Sequence, residues 1–140
     1  MSHKVTTVWK EKMIFESDNP NGYQFNLGKS ENSNDPYKPL GPKATMLSSL
    51  AACSGLDVVS IAEKMKTEFT DFKIEVEAEL TDEHPRTYHT VLVDYYFYGS
   101  ALDEKKIKKV VDLSVEKYCG VMEMFRQFSK VKTQIHFHHA

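Results

Sequence analysis

Cysteine is scarce in this sequence, and the two residues present do not form a metal-binding pattern. Cys53 and Cys119 lie 66 positions apart, and there is no CxxC pair. This spacing excludes the usual zinc-knuckle motifs. Free cysteine is among the most buried residue types, so spacing alone leaves inert packing and a redox pair both open.

Large charged patches and long apolar runs are also missing. Lysine and arginine total 18 against 20 aspartate and glutamate residues, and no basic run stands out. This balance argues against nucleic acid and anionic membranes as partners. The first ten residues lack the apolar region of a signal sequence, and no apolar run approaches the roughly 20 residues of a membrane span. We therefore expect a cytoplasmic protein in which residues 1–140 form a single domain.

The stretch from Ala44 to Lys66, ATMLSSLAACSGLDVVSIAEKMK, is the most distinctive part of the chain. Apolar or small residues recur every three or four positions along two adjacent stripes, which predicts a helix that is apolar nearly all round. Such a helix is normally buried at the centre of a fold. Gly55 costs roughly 1 kcal/mol relative to alanine inside a helix, so we expect another backbone to pass close to it. Cys53 lies at the middle of this predicted helix, where it is either an ordinary core residue or a reactive thiol.

Alternating and β-branched segments predict strands on both sides of this central helix. In chain order we predict a hairpin over residues 5–16, a strand over 23–27, a polar loop to Pro42, the central helix, strands over 72–80 and 87–98, helical segments over 102–118 and 121–128, and a strand over 131–137. This order predicts an α+β fold in which antiparallel sheets pack around a central buried helix.

Three histidines near the C-terminus are the one pattern that invites a metal site. His136 and His138 fall on one face of the last strand, with His139 beside them, but no carboxylate or cysteine accompanies them. We therefore expect no metal, and a frayed, solvated terminus instead. The lysines from Lys105 to Lys109 are interpreted as the solvent side of the second helix.

The local sequence does not explain how either cysteine becomes a thiolate. Cys53 lies about three turns inside its helix, where the helix dipole no longer acts. Asp57, one turn further on the same face, disfavours a thiolate when ionised. A reactive Cys53 therefore needs a cation from elsewhere in the fold or from a partner chain. Cys119 ends the second long helix, and lies near Cys53 if the two helices cross at the small residues of the first.

Two segments carry a resemblance to a known family. LSSLAACSGLDVVSIAEK, with a proline about ten residues ahead of the cysteine, and VDLSVEKYCGV are similar to the cysteine motifs of the OsmC/Ohr family of osmotically inducible and organic-hydroperoxide-resistance proteins. The segment HPRTYHTVLVDYYFYG further resembles an OsmC-like branch of that family. The resemblance covers nearly the whole chain, including the order of the strands.

What this resemblance implies is a thiol-dependent reductase of organic hydroperoxides that belongs to the oxidative stress response. Cys53 would attack the peroxide oxygen and become a sulfenic acid, and Cys119 would condense with it to a disulfide. External thiols, such as dihydrolipoyl groups, would then reduce the disulfide, so no bound cofactor is expected. The family fold is an intertwined homodimer with each site built from both chains, which implies that a second copy helps to bury the central helix.

The residues that activate the first cysteine in well-characterised family members are not matched here. Those members carry a glutamate just after the proline, which orients an arginine from the N-terminal region, whereas this chain has Lys43 and Ala44 there. Arg86 matches an arginine typical of the OsmC-like branch and is the candidate cation for Cys53. Lys43 is a second source of positive charge, although a lysine lacks the planar fork of arginine. Glu116, three positions before Cys119, is a candidate supporting residue.

Two other interpretations stay open. The first is a non-enzymatic dimer that binds a small apolar or thiol ligand in its interface pocket, with an aromatic lining drawn from Tyr88, Tyr95, Tyr96, Phe97, Tyr98, Phe125 and Phe128. The second is that both cysteines are inert packing residues. Replacing Cys53 by serine separates an enzyme from a binding protein, because a binding protein keeps its ligand.

Overall fold

The computed structural model describes residues 1–140. The chain forms two compact units, Met1–Met46 and Leu47–Ala140. The long helix α1 (Pro42–Lys64) begins in the first unit and has most of its length in the second. Pro42 is its first residue, as expected from a residue with no N–H to satisfy. The single domain over residues 1–140 stays a prediction.

The first unit contains a three-stranded antiparallel sheet. Its strands are β1 (Thr7–Glu11), β2 (Ile14–Asp18) and β3 (Gln24–Gly28), with β2 in the middle, so the predicted hairpin and third strand are confirmed. Gly28 has a φ of +135°, and a Cβ atom at this position would clash with the carbonyl oxygen of Met13. The close approach of these two backbones therefore requires glycine.

The second unit contains a three-stranded sheet of mixed direction. β4 (Asp71–Leu80) pairs antiparallel with β5 (Tyr88–Gly99), and β6 (Lys130–His139) lies parallel to β5 on its other side. The expectation of purely antiparallel sheets is therefore wrong at β6. β6 is parallel because the helices between β5 and β6 form a crossover, which returns the chain to the end of the sheet where β5 began.

Three helical segments make up this crossover. α2 (Glu104–Leu113) is capped by Asp103, whose carboxylate accepts a hydrogen bond from a first-turn amide at 3.1 Å. A π-helical turn (Ser114–Tyr118) continues α2, and α3 (Gly120–Phe128) follows directly after Cys119. The predicted break after the second helix is confirmed.

α1 buries only one face within a single chain. The fully buried stripe consists of Leu50, Ser54, Val58 and Ala62, spaced four residues apart. The opposite face is apolar but exposed, and Leu56 is 74% exposed there. The expectation of a helix buried all round is therefore not met within one chain.

α1 is also long and apolar enough to cross a membrane, judged by length and composition alone. The expectation that no segment of the chain approaches this limit is therefore wrong. Core helices of soluble proteins have the same length and composition. The buried stripe of α1 belongs to the core of the second unit, as a core helix requires.

The core of the second unit joins α1, the middle strand of the sheet and the crossover helices. Its buried residues are Leu50, Val58, Ala62, Tyr88, Val91, Val93, Tyr95, Phe97, Ile107, Val110, Val111, Cys119, Met122 and Phe125. Cys119 is one of them, and Cys53 packs against the cluster from α1. The fold therefore places Cys119 in the core, next to the side of α1 from which Cys53 packs against the same core.

Candidate functional site

The two cysteines meet beside the core. Cys53 lies in the middle of α1 and is half-buried, whereas Cys119 is only 3% exposed. The thiol of Cys53 is near enough to the thiol of Cys119 to contribute to the raised pKa of Cys119, and no disulfide joins them. The expected proximity of the two residues is confirmed.

The π-helical turn determines where Cys119 stands. The wider turn directs the backbone N–H of Cys119 to the carbonyl oxygen of Ser114, five residues back, at 2.8 Å. Cys119 then adopts φ −79° and ψ 101° and becomes the N-cap of α3. Its Sγ accepts a hydrogen bond from the backbone N–H of Met122 at 3.3 Å. A thiol thus takes the place of the hydroxyl or carboxylate that usually caps a helix.

Burial keeps Cys119 protonated. Removal from water raises the pKa of Cys119 from its ordinary 9.0 to about 11, and the contact with Cys53 and the charge of Asp57 act in the same direction. The hydrogen bond from Met122 opposes this rise, because it stabilises the thiolate. At neutral pH very little of Cys119 is in the thiolate form. Cys119 is therefore a neutral thiol beside Cys53.

A chain of hydroxyl groups runs beside the thiols. The hydroxyl of Tyr95 lies 2.6 Å from Ser54 Oγ, which in turn lies 2.8 Å from Ser114 Oγ. Ser114 Oγ has two acceptors for its single proton, Asp57 Oδ2 at 3.1 Å and the carbonyl oxygen of Ser54 at 3.3 Å. Because both of these groups only accept, the other hydrogens point from the tyrosine through Ser54 to Ser114. We call Tyr95, Ser54, Ser114 and Asp57 the hydroxyl network.

The hydroxyl groups of this network are shielded from water. Ser54, Tyr95 and Ser114 are each 0% exposed. Desolvation raises the pKa of Tyr95 to about 12, although its hydrogen bond with Ser54 lowers it. The tyrosine is therefore a hydrogen-bond donor throughout the physiological pH range. The network ties α1, β5 and the π-helical turn together next to the thiol pair.

An apolar groove lies along the exposed side of α1. It has a volume of about 870 Å³ and is lined by small and apolar residues of α1 with Phe72 and Ile74 of β4. Gly55 also lines it, and a Cβ atom there would meet Ile74 Cδ1 at 3.3 Å. Within one chain the neighbour of Gly55 is a side chain, so the expectation that another backbone passes close to it is not met there. We call this feature the α1 groove.

Arg86 is not beside the thiol pair within one chain. It is exposed on the loop before β5, two residues ahead of Tyr88. Tyr95, whose hydroxyl belongs to the hydroxyl network, lies seven residues beyond Tyr88, which is roughly 20 Å along a strand. The role of Arg86 as the activating cation stays a prediction that depends on a second chain.

Lys43 and Glu116 are both exposed. Lys43 lies in the first turn of α1, almost three helical turns before Cys53. Glu116 lies on the π-helical turn, where its charge adds to the effect of Asp112 in raising the pKa of Lys108. This places Glu116 toward the solvent side of α2. The proposed roles of Lys43 and Glu116 stay predictions.

The histidines of β6 have carboxylate partners that the sequence did not indicate. His136 Nε2 lies 2.8 Å from Asp94 Oδ1, and His139 Nε2 lies 2.6 Å from Glu104 Oε2. β6 continues through His139, so the expectation of a frayed terminus is wrong. No group of three or more His, Cys, Asp or Glu side chains is placed to hold a metal ion.

The aromatic residues of β5 are divided between the two faces of its sheet. Tyr95 and Phe97 are 0% exposed in the core, whereas Tyr96 and Tyr98 lie half-buried on the other face, stacked on histidines of β6. Alternation along a strand produces this division. These residues therefore do not line one common pocket within a single chain.

Sequence reasoning did not identify Ser54, Ser114 and Tyr95 as parts of one network. The signal was present for the two serines, because each falls on a stripe of otherwise apolar residues. A buried hydroxyl on such a stripe must find a hydrogen-bond partner. The identity of that partner depends on long-range packing.

Comparison with known proteins places the chain in a family. A model of the OsmC-like protein family matches residues 36–134. Protein YhfA of Escherichia coli K12 is 30% identical over 119 residues, which cover 85% of this chain and 86% of YhfA.

Solved structures share the mixed α+β fold with two three-stranded sheets and three helices. A hypothetical protein from Aquifex aeolicus VF5 has a TM-score of 0.86 and 28% identity, with 98% of this chain and 96% of that chain covered. The organic hydroperoxide resistance protein OhrB of Bacillus subtilis has a TM-score of 0.66 and 19% identity, with 96% of this chain and 98% of that chain covered. Since the family model and YhfA each match most of its length, the chain belongs to the OsmC/Ohr family of OsmC-like proteins.

Proposed function

We propose that this protein is a thiol-dependent reductase of organic hydroperoxides, with Cys53 as the peroxidatic cysteine and Cys119 as the resolving cysteine. The observation that carries the proposal is the proximity of the two thiols in an OsmC-like protein. The structural neighbour OhrB is named for organic hydroperoxide resistance, which supports this class of substrate.

The burial of the two cysteines supports this division of roles. Cys53 is half-buried, so it is the more accessible of the two cysteines to an incoming peroxide. Cys119 is almost fully buried, and its raised pKa makes it a poor first nucleophile because the thiolate is the reactive form. It is well placed to react second, since the sulfur that it attacks is already nearby.

The proposed cycle has three steps. The Cys53 sulfur attacks one peroxide oxygen, the O–O bond breaks, the alcohol leaves with the thiol proton, and Cys53 becomes a sulfenic acid. The Cys119 sulfur then attacks the Cys53 sulfur, the S–O bond breaks, and the hydroxyl leaves as water with the proton of Cys119. A dithiol such as a dihydrolipoyl group reduces the disulfide by exchange and is itself oxidised to a disulfide. Such reductants support a cytoplasmic location.

We further propose that a second copy of the chain covers the α1 groove. Leu56 is 74% exposed and Val59 is 51% exposed on the apolar side of α1. Contiguous apolar surface of this kind marks an interaction site. A homodimer built on this face would bury the exposed side of α1 and offer a second Arg86 as the cation for Cys53.

The test is intact mass and free-thiol count before and after one equivalent of an organic hydroperoxide. The parent is expected to lose two hydrogens as the disulfide forms, and Cys119→Ser is expected to gain one oxygen. Cys53→Ser is expected to keep its mass over the same period. Unchanged thiols in the parent would contradict the proposal and favour a non-enzymatic dimer that binds a small apolar or thiol ligand.

A further inference from the structure

Ser114 connects the two cysteines through the protein framework. Its Oγ atom lies 2.8 Å from Ser54 Oγ and 3.1 Å from Asp57 Oδ2, on the turn of α1 that carries Cys53. Its carbonyl oxygen accepts the backbone N–H of Cys119 at 2.8 Å. The side chain of Ser114 therefore bonds to the helix that carries Cys53, and its main chain bonds to the backbone of Cys119.

The surroundings make this connection stiff. Ser114 and Ser54 are both 0% exposed, so water does not replace a bond that is lost. Tyr95 fixes Ser54 from β5 at 2.6 Å. A regular helix would instead send the Cys119 N–H to Val115, and would turn Cys119 by about 100° about the helix axis. The π-helical turn that begins at Ser114 is thus what points Cys119 at its neighbour.

We propose that Ser114 is a positioning residue that sets the separation of Cys53 and Cys119, with Ser54 and Asp57 as its anchors on α1. The inference rests on the proposed function, since a fixed thiol pair is what the resolving step needs. Loss of the Ser114 hydroxyl frees the π-helical turn from α1. The thiols then meet less often while both remain in a folded protein.

The test is the thiol–disulfide equilibrium of the full chain in mixtures of reduced and oxidised glutathione. Closing the Cys53–Cys119 disulfide converts one oxidised glutathione into two reduced molecules, so the equilibrium constant gives the effective concentration of one thiol at the other. Ser114→Ala is expected to lower this concentration at least about tenfold, because the hydroxyl loses its bonds to both Ser54 and Asp57.

Ser129→Ala is the matched control. It removes a hydroxyl that donates to the carbonyl oxygen of Phe125 at 2.7 Å, at the far end of α3 from Cys119. We expect its effective concentration to stay within about twofold of the parent. Urea unfolding of both variants measures any general loss of stability separately.

If Ser114→Ala does not fold, two substitutions of Asp57 test the positioning role of Ser114 instead. Asp57→Asn keeps an oxygen that accepts from Ser114, whereas Asp57→Ala removes it. Asp57→Ala is expected to lower the effective concentration at least about twofold but less than Ser114→Ala does, because the Ser114 hydroxyl then keeps only the carbonyl oxygen of Ser54, at 3.3 Å, as an acceptor. Asp57→Asn is expected to match the parent.

Equal effects of Ser114→Ala and Ser129→Ala, or of the two Asp57 variants, would overturn the inference. A parent chain that forms no disulfide in oxidised glutathione would overturn it as well. A parent that closes the disulfide with glutathione but keeps both thiols with organic hydroperoxide would refute the proposed function and leave the positioning role of Ser114 in place.

Discussion

The protonation of Cys119 gives a prediction with a defined magnitude. In the Cys53→Ser variant Cys119 is the only cysteine, so cysteine labelled with ¹³C at Cβ places a single NMR reporter there. Burial is the main cause of the raised pKa of Cys119, and Cys53 contributes less. We therefore expect the resonance of the folded variant to titrate above about pH 10. In concentrated urea it is expected to titrate near the ordinary pKa of 9.0.

The same shift predicts how stability depends on pH. Because the pKa is raised in the folded state, the native protein still holds the Cys119 proton at a pH where the unfolded chain has lost it. The resulting stabilisation is complete below pH 9.0 and is lost as the pH rises to about 11. At 1.36 kcal/mol for each pKa unit, the full shift corresponds to at most about 3 kcal/mol in the free energy of unfolding, and the part that Cys53 causes is absent from the Cys53→Ser variant.

Urea unfolding between pH 8 and pH 11 measures this contribution. It is compared between the Cys53→Ser variant and the double variant that also carries Cys119→Ser, over the pH range in which the Cys119 contribution is lost. Tyr95, with its pKa of about 12, is present in both proteins, so its contribution cancels in the difference except for the small part of its shift that Cys119 causes. A resonance that titrates at or below pH 9.0, or an equal pH dependence in the two variants, would refute the argument that burial keeps Cys119 protonated.

Three further predictions concern the hydroxyl network, the α1 groove and the first sheet. Tyr95→Phe is expected to lower the free energy of unfolding by about 1 kcal/mol in urea titrations, since Ser54 keeps its bond to Ser114; an unchanged value would mean that the tyrosine bond adds nothing. Leu56→Glu places a charge on the exposed apolar face and is expected to turn a dimer into monomers in sedimentation velocity, whereas a monomeric parent would rule out the proposed dimer. Gly28→Ala is expected to cost more than about 2 kcal/mol in thermal unfolding, because the new Cβ meets a carbonyl oxygen, and a neutral effect would contradict the close approach described here.

Local patterns predicted the elements of the fold better than their pairing. The alternation from Phe72 to Leu80 reflects one partly buried and one exposed face of a sheet, and β4 forms there. The parallel direction of β6 depends on contacts between residues far apart in the chain, which periodicity does not report. In the same way, the pattern of α1 shows that most of its surface is apolar but not which chain covers each face.

The candidate site was predictable in its cysteines and not in its hydroxyl network. Cys53 and Cys119 stand in two motifs that resemble one family. The sequence predicted one continuous helix over residues 102–118, and the π-helical turn that begins at Ser114 has no signature in residue spacing. Tyr95 is one of four consecutive aromatic residues, and alternation alone does not show which of them face the core.

Chemical trapping of the sulfenic acid tests most directly the claim that Cys53 reacts with the peroxide and Cys119 reacts second. Cys119→Ser protein is mixed with one equivalent of an organic hydroperoxide in the presence of dimedone, and the labelled peptides are identified by mass spectrometry. The account predicts a dimedone adduct on Cys53, formed much faster than any adduct on Cys119 in the Cys53→Ser variant. Adducts that form on Cys119 at an equal rate, or on neither cysteine, would contradict it.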